Sequence, residues 1–296
     1  MHPANVLSSL AFTLSLATAA AAAPIPDAVA AMIDAADPDQ LKTIADIAKK
    51  TNPAAADEID ARVAALQKAR ADARTEQLAS QGMLDGWSGS GEAGANISSG
   101  NTNNKGVAIG LNFAKETRSW KHSVRGFVDY QRQDGVTTRE RYFAGYEGNY
   151  NITPNFYALA TLSYERDTFS GFRRRFAESL GLGYRIIATD TMKLSVEAGP
   201  ALRQTQFTNG ISDNALAARG AGNFWWALTP GLEFSESATV FYDSFNTSFQ
   251  SLTALTAQLS GALSARASFQ LNTESNPPLG RKSNDTISRV TLVYSF

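Results

Sequence analysis

The sequence has no cysteine, so neither a disulfide framework nor thiol chemistry can contribute to fold or function. It also lacks an excess of one charge, because 27 Lys and Arg stand against 28 Asp and Glu. A net charge of −1 gives no sign of the positively charged surface that nucleic-acid binding needs, and we expect no nucleic-acid partner. Beyond residue 23, no apolar run approaches the roughly 18 residues that a membrane helix needs. These absences argue against a disulfide scaffold, a nucleic-acid-binding protein and a bundle of membrane helices.

Histidine is scarce too, since His2 and His122 are the only two. Clustered His and Cys ligands are therefore missing, no Gly-rich phosphate motif is present, and we predict neither a metal nor a cofactor. A lipase-like Ser–His enzyme on the outside of a barrel is the alternative that His122 leaves open. Because no serine beside a matching acidic or amide residue can be nominated, the sequence favours a non-enzymatic protein. His122 is then an interfacial polar residue beside Trp120.

The N-terminus is typical of a secretory signal peptide, which we assign to residues 1–23. Residues 6–23 form an Ala-rich apolar stretch that ends in small side chains suited to signal peptidase. The first five residues contain no Lys or Arg, and Pro24 disfavours cleavage directly after Ala23, so the cut is expected a few residues earlier. An ordinary buried helix is the alternative.

Residues 24–85 are predicted to form a helical periplasmic segment. Residues 27–81 are rich in Ala, Asp, Lys, Arg and Gln and contain no aromatic residue. A first helix is expected to begin near Pro38, and a second after the break at Asn52 and Pro53. The apolar stripe of the second helix consists of Ile59, Val63 and Leu66. We expect a solvated hairpin or stalk, with a partner-binding or self-associating module as the alternative.

From residue 86 the hydrophobic period changes to two, as in Met192, Leu194 and Val196 alternating with polar neighbours. The region 86–296 is therefore predicted to be all-β, a twelve-stranded antiparallel transmembrane β-barrel. The expected strands are 86–98, 105–115, 120–131, 140–150, 156–166, 173–187, 191–205, 215–228, 232–242, 248–259, 263–274 and 286–296.

The connections between these strands are expected to alternate in length. Those after the even-numbered strands are short, whereas those after the odd-numbered strands are mostly longer and more polar. Outer-membrane barrels have short periplasmic turns and longer external loops. An even strand count then places both ends of the barrel in the periplasm. The loops are still short for an adhesion or tethering protein, which is the third alternative.

One strand face carries long charged side chains, and we predict that it lines the lumen because a barrel of this width is too wide for small apolar residues to fill. The basic candidates are Arg125, Arg141, Arg173, Arg175, Arg185, Arg203, Arg219, Arg266 and Arg289. The acidic candidates are Glu92, Asp129, Glu147, Glu165, Glu197 and Glu233. Nine arginines against six acids predict a small, mildly anion-selective conductance.

The opposite face carries aromatic residues near strand ends, which suits the girdles at the two membrane boundaries. These residues are Trp87, Trp120, Tyr130, Tyr142, Tyr150, Phe156, Tyr184, Phe224, Trp226, Phe269 and Tyr294. Glu178 and Glu236 fit badly, because strand parity places them on this apolar face. A bulge, a strand misdrawn by one residue, or a position near the polar boundary would each accommodate them.

Arg173, Arg174 and Arg175 form the most distinctive local cluster. Two of them are expected to face the lumen near its mouth, while Arg174 points to the outer-leaflet boundary. The cluster could form a basic constriction or bind lipopolysaccharide phosphates. Alternatively, its arginines pair with lumen acids and fill the pore.

The chain ends with apolar residues on one face, finishing in Tyr294 and Phe296. This ending is similar to the signal by which outer-membrane proteins are recognised for insertion. The expected partners are therefore outer-membrane lipid, lipopolysaccharide and the barrel-assembly machinery, in the outer membrane of a Gram-negative bacterium. The sequence leaves the oligomeric state open.

The stretch from Trp87 through Asn103, with its Ser-Gly-Asn-Thr-Asn run, resembles the opening of a bacterial family of salt-induced outer-membrane proteins. The resemblance continues through Phe143-Ala144-Gly145-Tyr146 and ends at Tyr294-Ser295-Phe296. It covers roughly residues 86–296, and the family is a domain family of unknown function. The resemblance implies a porin-like barrel and a link to salt or envelope stress, and it supplies no catalytic or ligand residues.

Overall fold

A computed structural model describes residues 24–38, 40–98 and 104–296. The predicted signal peptide lies outside the described residues. The chain divides into two compact units, one up to Arg74 and the other from Thr75. No helix in the described ranges combines the length and the apolar character that a membrane-spanning helix requires.

The first unit is helical, with α1 (Asp27–Asp34), α2 (Leu41–Thr51), a 3-10 turn (Pro53–Ala55) and α3 (Ala56–Ser80), which continues into the second unit. The separate helix α1 was not anticipated. The helix expected at Pro38 begins at Leu41, because the Asp37 carbonyl accepts the N–H groups of Gln40 and Leu41 and thereby forms a turn ahead of it. Pro53 opens the second helical stretch as expected.

A small apolar core holds the three helices together. Ile33, Leu41 and Ile59 are the most completely buried large side chains. The other two residues of the predicted stripe, Val63 and Leu66, pack against this core. At its surface, Arg62 donates two hydrogen bonds to Asp34, at 2.9 and 2.5 Å, and these bonds lower the pKa of the Asp34 carboxyl from its ordinary value.

The second unit contains a closed barrel in which each strand pairs antiparallel with its neighbours along the chain and β1 pairs with β12. The prediction of a twelve-stranded antiparallel barrel is confirmed. The strands are β1 (Trp87–Ser98), β2 (Asn104–Glu116), β3 (Trp120–Gln133), β4 (Val136–Asn151), β5 (Phe156–Asp167), β6 (Phe172–Ala188), β7 (Met192–Phe207), β8 (Ser212–Thr229), β9 (Leu232–Tyr242), β10 (Thr247–Ser260), β11 (Leu263–Glu274) and β12 (Asn284–Ser295).

We call the end of the barrel that holds connections 117–119, 152–155, 189–191, 230–231 and 261–262 the turn rim, and the opposite end the loop rim. Three turn-rim connections repeat one geometry. The hydroxyls of Thr117, Thr153 and Thr189 each accept the N–H three residues later, at 3.1, 3.0 and 2.9 Å. Such side-chain bonds close a tight turn without help from the rest of the fold.

The described loop-rim connections are 134–135, 168–171, 208–211, 243–246 and 275–283. The difference in length between these connections and those of the turn rim is smaller than expected, because only two residues, Asp134 and Gly135, join β3 to β4. Both residues have positive φ. Segment 275–283, which we call the mouth loop, is the longest of them.

The seam where β1 meets β12 is the weakest joint of the barrel. Residues 90–93 pair with residues 292–295, and the register stops there although both strands continue toward the loop rim. At the turn rim the seam ends in a reciprocal pair of backbone hydrogen bonds between Gly89 and Phe296, at 2.8 and 2.9 Å. A side chain at position 89 would collide with the Phe296 ring, which explains the glycine.

Candidate functional site in the barrel lumen

Two cavities lie in the part of the lumen that the structure describes. The mouth cavity, of about 150 Å³, reaches the mouth loop at Pro277 and Lys282. The second cavity, of about 270 Å³, lies against β1–β4 and β9–β12. Arg125 and Phe143 on one wall, with Thr239 and Gln250 on the other, line both cavities. These four residues therefore mark the level at which the two cavities meet.

Most residues predicted for the lumen are inside the barrel in the structure. The mouth cavity is lined by Arg125, Arg141, Arg175, Arg203, Arg219, Glu147 and Glu165. The second cavity is lined by Glu92, Asp129, Arg266 and Arg289, together with Arg125. Toward the turn rim, Arg185 bonds to Asn151, Glu197 accepts from Tyr157, and Glu233 accepts from Trp225.

Arg173 departs from the predicted alternation. A bulge interrupts the β6–β7 register between Phe172 and Arg174. Phe172 and Arg175 consequently face the mouth cavity, whereas Arg173 and Arg174 are both exposed at the loop rim. A bulge inserts one residue and shifts the facing of those before it, so strict parity fails at this point.

Ion pairs connect strands that are not neighbours. Arg175 on β6 bonds to Glu274 on β11 at 2.8 Å, and Arg266 on β11 bonds to Glu92 on β1 at 2.9 Å. Arg289 on β12 pairs with Asp129 on β3. Since these side chains bridge separate parts of the wall, they occupy the lumen and leave narrow spaces between them.

The mouth contains acids that the sequence analysis did not assign to the lumen. Asp167, Glu274 and Asp285 line the mouth cavity, and Asp243 bonds to Arg203 at 3.3 Å. Asp167, Asp243 and Asp285 lie outside the predicted strands, whereas Glu274 ends the predicted strand 263–274 with the inward parity of Arg266. These four acids outnumber the predicted excess of three arginines, so the excess of arginine over acid that was predicted for the lumen is absent.

A short repeated motif could have revealed two of these acids. Asp167-Thr168-Phe169-Ser170 and Asp243-Ser244-Phe245-Asn246 share one pattern. In each, the Asp Oδ1 accepts the N–H groups two and three residues later, at 3.1 and 2.9 Å for Asp167 and at 2.9 and 2.7 Å for Asp243. The same carboxylates face lumen arginines, so each acid stabilises its loop and neutralises the mouth.

Aromatic rings inside the barrel were missed as well, because the sequence analysis placed its aromatic girdles on the outer face. Phe127 and Phe143 stack in the lumen with ring centroids 5.2 Å apart. Four inward arginines lie over inward rings, which limits their freedom to move. The pairs are Arg141 over Phe127 at 4.9 Å, Arg175 over Phe172 at 4.0 Å, Arg185 over Tyr157 at 4.6 Å and Arg203 over Phe241 at 5.1 Å.

Arg125 differs from these arginines. It lines both cavities, and it has no ion-pair or hydrogen-bond partner among the residues that the structure describes. Its cross-strand neighbours are Asn112 and Gly145, neither of which carries charge. A free guanidinium thus lies at the level where the two cavities meet.

The mouth loop covers part of the loop rim. Asn276 donates its backbone N–H to Asn246 at 2.9 Å, and Arg281 donates to the Thr168 carbonyl at 3.3 Å. Pro278 lies against Gly171, where an added Cβ would be 2.6 Å from the proline ring. The mouth loop therefore reaches from β11 and β12 to the connection between β5 and β6.

The outer face of the barrel is apolar, with exposed side chains such as Leu180, Leu216 and Val290. Near the turn rim, Trp120 stacks on His122 with ring centroids 5.7 Å apart, and the His122 Nδ1 lies 2.9 Å from the Tyr146 hydroxyl. His122 is thus part of an aromatic cluster, as the interfacial interpretation predicts.

Glu178 and Glu236 remain on the outer face in the structure. Glu178 is exposed opposite Leu162 and Leu202. Glu236 accepts a hydrogen bond from the Thr253 hydroxyl, which partly compensates its position. Neither a bulge nor a redrawn strand moves these two residues inward.

In the described ranges, no group of three or more His, Cys, Asp or Glu is arranged to hold a metal ion.

Comparison with known proteins yields a family match over most of the barrel. A family model described as "Protein of unknown function, DUF481" matches residues 91–296. The uncharacterized protein YdiY of Escherichia coli (strain K12) is 23% identical over 213 residues, which are 71% of this chain and 83% of that protein.

Solved structures with a similar fold include a NanC porin, at 11% identity and a TM-score of 0.44, covering 70% of this chain and 98% of that one. The translocator domain of autotransporter NalP from Neisseria meningitidis is 14% identical, with a TM-score of 0.42 and coverage of 79% and 96%. The COG4313 outer membrane channel from Pseudomonas putida F1 is 10% identical, with a TM-score of 0.42 and coverage of 73% and 97%. At these identities the likeness concerns the fold alone.

Proposed function

Because the chain belongs to the family of unknown function DUF481, as its resemblance to such a family predicted, we propose a function from its own geometry. The protein is a non-enzymatic outer-membrane β-barrel that forms a narrow channel for small solutes, with a weak preference for anions. The observation that carries this proposal is the set of ion pairs that bridge non-adjacent strands across a polar lumen.

The outer face supports the membrane part of the proposal. Large apolar side chains are exposed all around the barrel, and aromatic residues cluster near the rim at Trp120 and Tyr150. In water such a surface would be an aggregation hazard, whereas in lipid it is the surface that a transmembrane barrel needs. With the predicted signal peptide, it favours an outer membrane in which the turn rim is periplasmic and the loop rim faces outward toward lipopolysaccharide.

The lumen supports a narrow path. Arg175 and Glu274 meet below the mouth loop, and Arg266 and Glu92 meet near the second cavity, so side chains cross the interior at two levels. Cavities of about 150 and 270 Å³ leave room for water and small ions rather than for large solutes.

Selectivity is expected to depend on Arg125. The paired arginines contribute little net charge, because acids neutralise them within hydrogen-bond distance. Arg125 is free of such a partner among the described residues, at the level shared by both cavities. The positive charge of Arg125 should raise the local anion concentration at this level of the lumen, and salt weakens the effect over a Debye length of roughly 10 Å at 0.1 M.

The same ion pairs favour a second candidate, a barrel filled by side chains that serves as a structural envelope protein. Its distinguishing property is the absence of conductance. Ion pairs whose arginines lie over aromatic rings are hard to displace. This candidate therefore predicts that removing one pair destabilises the barrel without creating a conducting path.

Planar-bilayer recordings of the refolded protein separate the two candidates. We expect a small unitary conductance that increases when Arg175→Gln and Glu274→Gln are combined, because the bridge below the mouth loop is then lost. The matched control combines Arg166→Gln with Glu140→Gln, a pair outside the lumen with a 3.5 Å contact, and should leave conductance unchanged. Arg125→Gln should move the reversal potential toward that of an unselective pore. Silent bilayers for both the wild type and the Arg175–Glu274 double variant would support the filled barrel.

A further inference from the structure

The seam between β1 and β12 opens toward the loop rim. The paired register ends at Ala93 and Leu292, while β1 continues to Ser98 and β12 begins at Asn284. Gly94 still lies close to Thr291, since an added Cβ there would be 2.9 Å from the threonine methyl. The strands therefore separate beyond Gly94 and leave a wedge in the wall.

A cavity of about 440 Å³ occupies this wedge, and we call it the seam cavity. It is lined by outward side chains of β2, β3 and β12, namely Val107, Tyr130 and Val290. It is also lined by Ala108, Asp129, Arg289 and Thr291, which line the second lumen cavity too. The seam cavity therefore adjoins both the apolar exterior and the polar interior. Its volume falls within the range of roughly 300–1,000 Å³ that is typical of ligand pockets.

The inner end of the seam cavity carries a positive charge. Arg289 and Arg139 both pair with the single carboxylate of Asp129, the latter at 3.5 Å, so two guanidinium groups share one anion. Thr291, which is only 5% exposed, also lines the seam cavity. Its hydroxyl has no hydrogen-bond partner among the described residues. A buried unpaired hydroxyl is costly unless a ligand or water satisfies it.

Lipid cannot satisfy the open backbone edges of β1 and β12, because hydrocarbon offers no hydrogen bonds. A molecule with a polar head and an apolar chain can place hydrogen-bonding atoms at the inner end of the wedge and fill its apolar remainder with the chain. We propose that the seam cavity is a lateral binding site for a single-chain amphiphile with an anionic head group. The head lies against Arg139, Arg289 and the Thr291 hydroxyl, and the chain passes along Val107 and Val290 into the lipid.

The seam cavity shares Asp129, Arg289 and Thr291 with the second lumen cavity, but the residues changed to test it lie away from Arg125. Val107 and Val290 are on the outer face, and Arg139 lines neither the mouth cavity nor the second cavity. Variants at the seam can thus be compared for amphiphile binding and for conductance, and a failure of one proposal is distinguishable from a failure of the other.

The test is photolabelling of the full-length protein in phosphatidylcholine vesicles with dodecanoate that carries a diazirine on its chain. We expect label on the peptides that contain Val107, Tyr130 and Val290. Ala95→Trp fills the seam cavity, and Arg139→Gln removes a charge at its inner end. Each should lower seam labelling roughly tenfold, the effect of losing one charge-assisted hydrogen bond or the space for the chain.

The matched controls are Ala158→Trp, on the fully paired outer face of β5, and Arg166→Gln, whose ion pair at 3.5 Å has the same length as that of Arg139. Both should keep wild-type labelling, and all variants should keep the unheated-gel shift of a folded barrel. If Ala95→Trp does not fold, Arg139→Gln still decides the result. Label spread evenly over the outer face, or seam labelling that neither seam variant lowers, would overturn the proposal.

Discussion

The C-terminal Phe296 is expected to stabilise the barrel by closing its weakest joint. The seam has four paired positions, and the reciprocal hydrogen bonds between Gly89 and Phe296 extend it at the turn rim. The Phe296 ring also covers Gly89 and meets the Phe113 ring edge-on, with centroids 6.0 Å apart. Phe296 is thus both the last residue of the predicted assembly signal and a residue that holds β1 and β12 together at the turn rim.

The two contributions have different sizes. The aromatic pair is worth about 0.5–1.5 kcal/mol. The ring is 63% exposed, so its burial adds no more than about 1 kcal/mol, and Phe296→Ala should cost about 1–2 kcal/mol in all. Deleting Phe296 also removes two backbone hydrogen bonds at about 0.5–1.5 kcal/mol each, which brings the expected loss to about 2–5 kcal/mol.

Urea unfolding in lipid vesicles, followed by tryptophan fluorescence, measures these losses. Phe249→Ala is the matched control, because Phe249 is an outward phenylalanine on β10, away from the seam. The order of stability should be wild type, Phe296→Ala, then the deletion. A deletion variant that unfolds at the same urea concentration as the wild type would refute the proposed stabilisation of the seam by Phe296. If that same deletion failed to assemble in cells, Phe296 would act as a recognition signal alone.

Three further changes have defined outcomes. Ile33→Ala empties the fully buried centre of the helical core and should lower its free energy of unfolding by about 2–5 kcal/mol in helical circular dichroism, while the unheated-gel shift of the barrel stays unchanged. Asp34→Asn should abolish the acid sensitivity of that core. Because the pKa of Asp34 is lowered in the folded state, its pair with Arg62 stabilises the helical core above pH 3.8, the ordinary pKa of the carboxyl group. This stabilisation is lost as the pH falls through the lowered pKa, so an identical acid titration of variant and wild type would contradict the pairing. Asp243→Asn leaves Arg203 buried without its carboxylate and should destabilise the barrel by about 3–5 kcal/mol in urea, whereas Asp190→Asn in the exposed β6–β7 turn should not.

The twelve strands could be predicted because the alternation of apolar and polar residues is a local property that can be read directly from the sequence. Parity also placed Arg141, Arg203 and Glu197 inside and kept Glu178 and Glu236 outside, since a regular strand turns every second side chain to the same face. The closing of β12 onto β1 followed from the even count and from the need to remove open edges.

Other features depend on contacts that alternation does not encode. Arg173 lies at a bulge, and a bulge is set by the pairing partner as much as by the strand itself. Phe127 and Phe143 share the inward parity of Arg125 and Arg141, but the stacking of the two rings and the position of Arg141 over Phe127 are visible only once the strands are paired. Asp167 ends β5 beyond the predicted strand and Asp243 lies in a loop, whose facing has no period. Helix α1 is held by burial of Ile33 against the other helices.

The central claim is a membrane-spanning barrel with an apolar exterior and a polar lumen, and a spin-label scan along β6 tests it most directly. The chain has no cysteine, so single Cys substitutions at positions 176–182 each carry one nitroxide without background. In vesicles, labels at Phe176, Leu180 and Leu182 should be accessible to oxygen and shielded from a water-soluble nickel complex. Labels at Ala177 and Ser179 should be shielded from oxygen as well, because these side chains are buried on the inward face. Accessibility to the nickel complex at every position, or alternation with the opposite phase, would contradict the account.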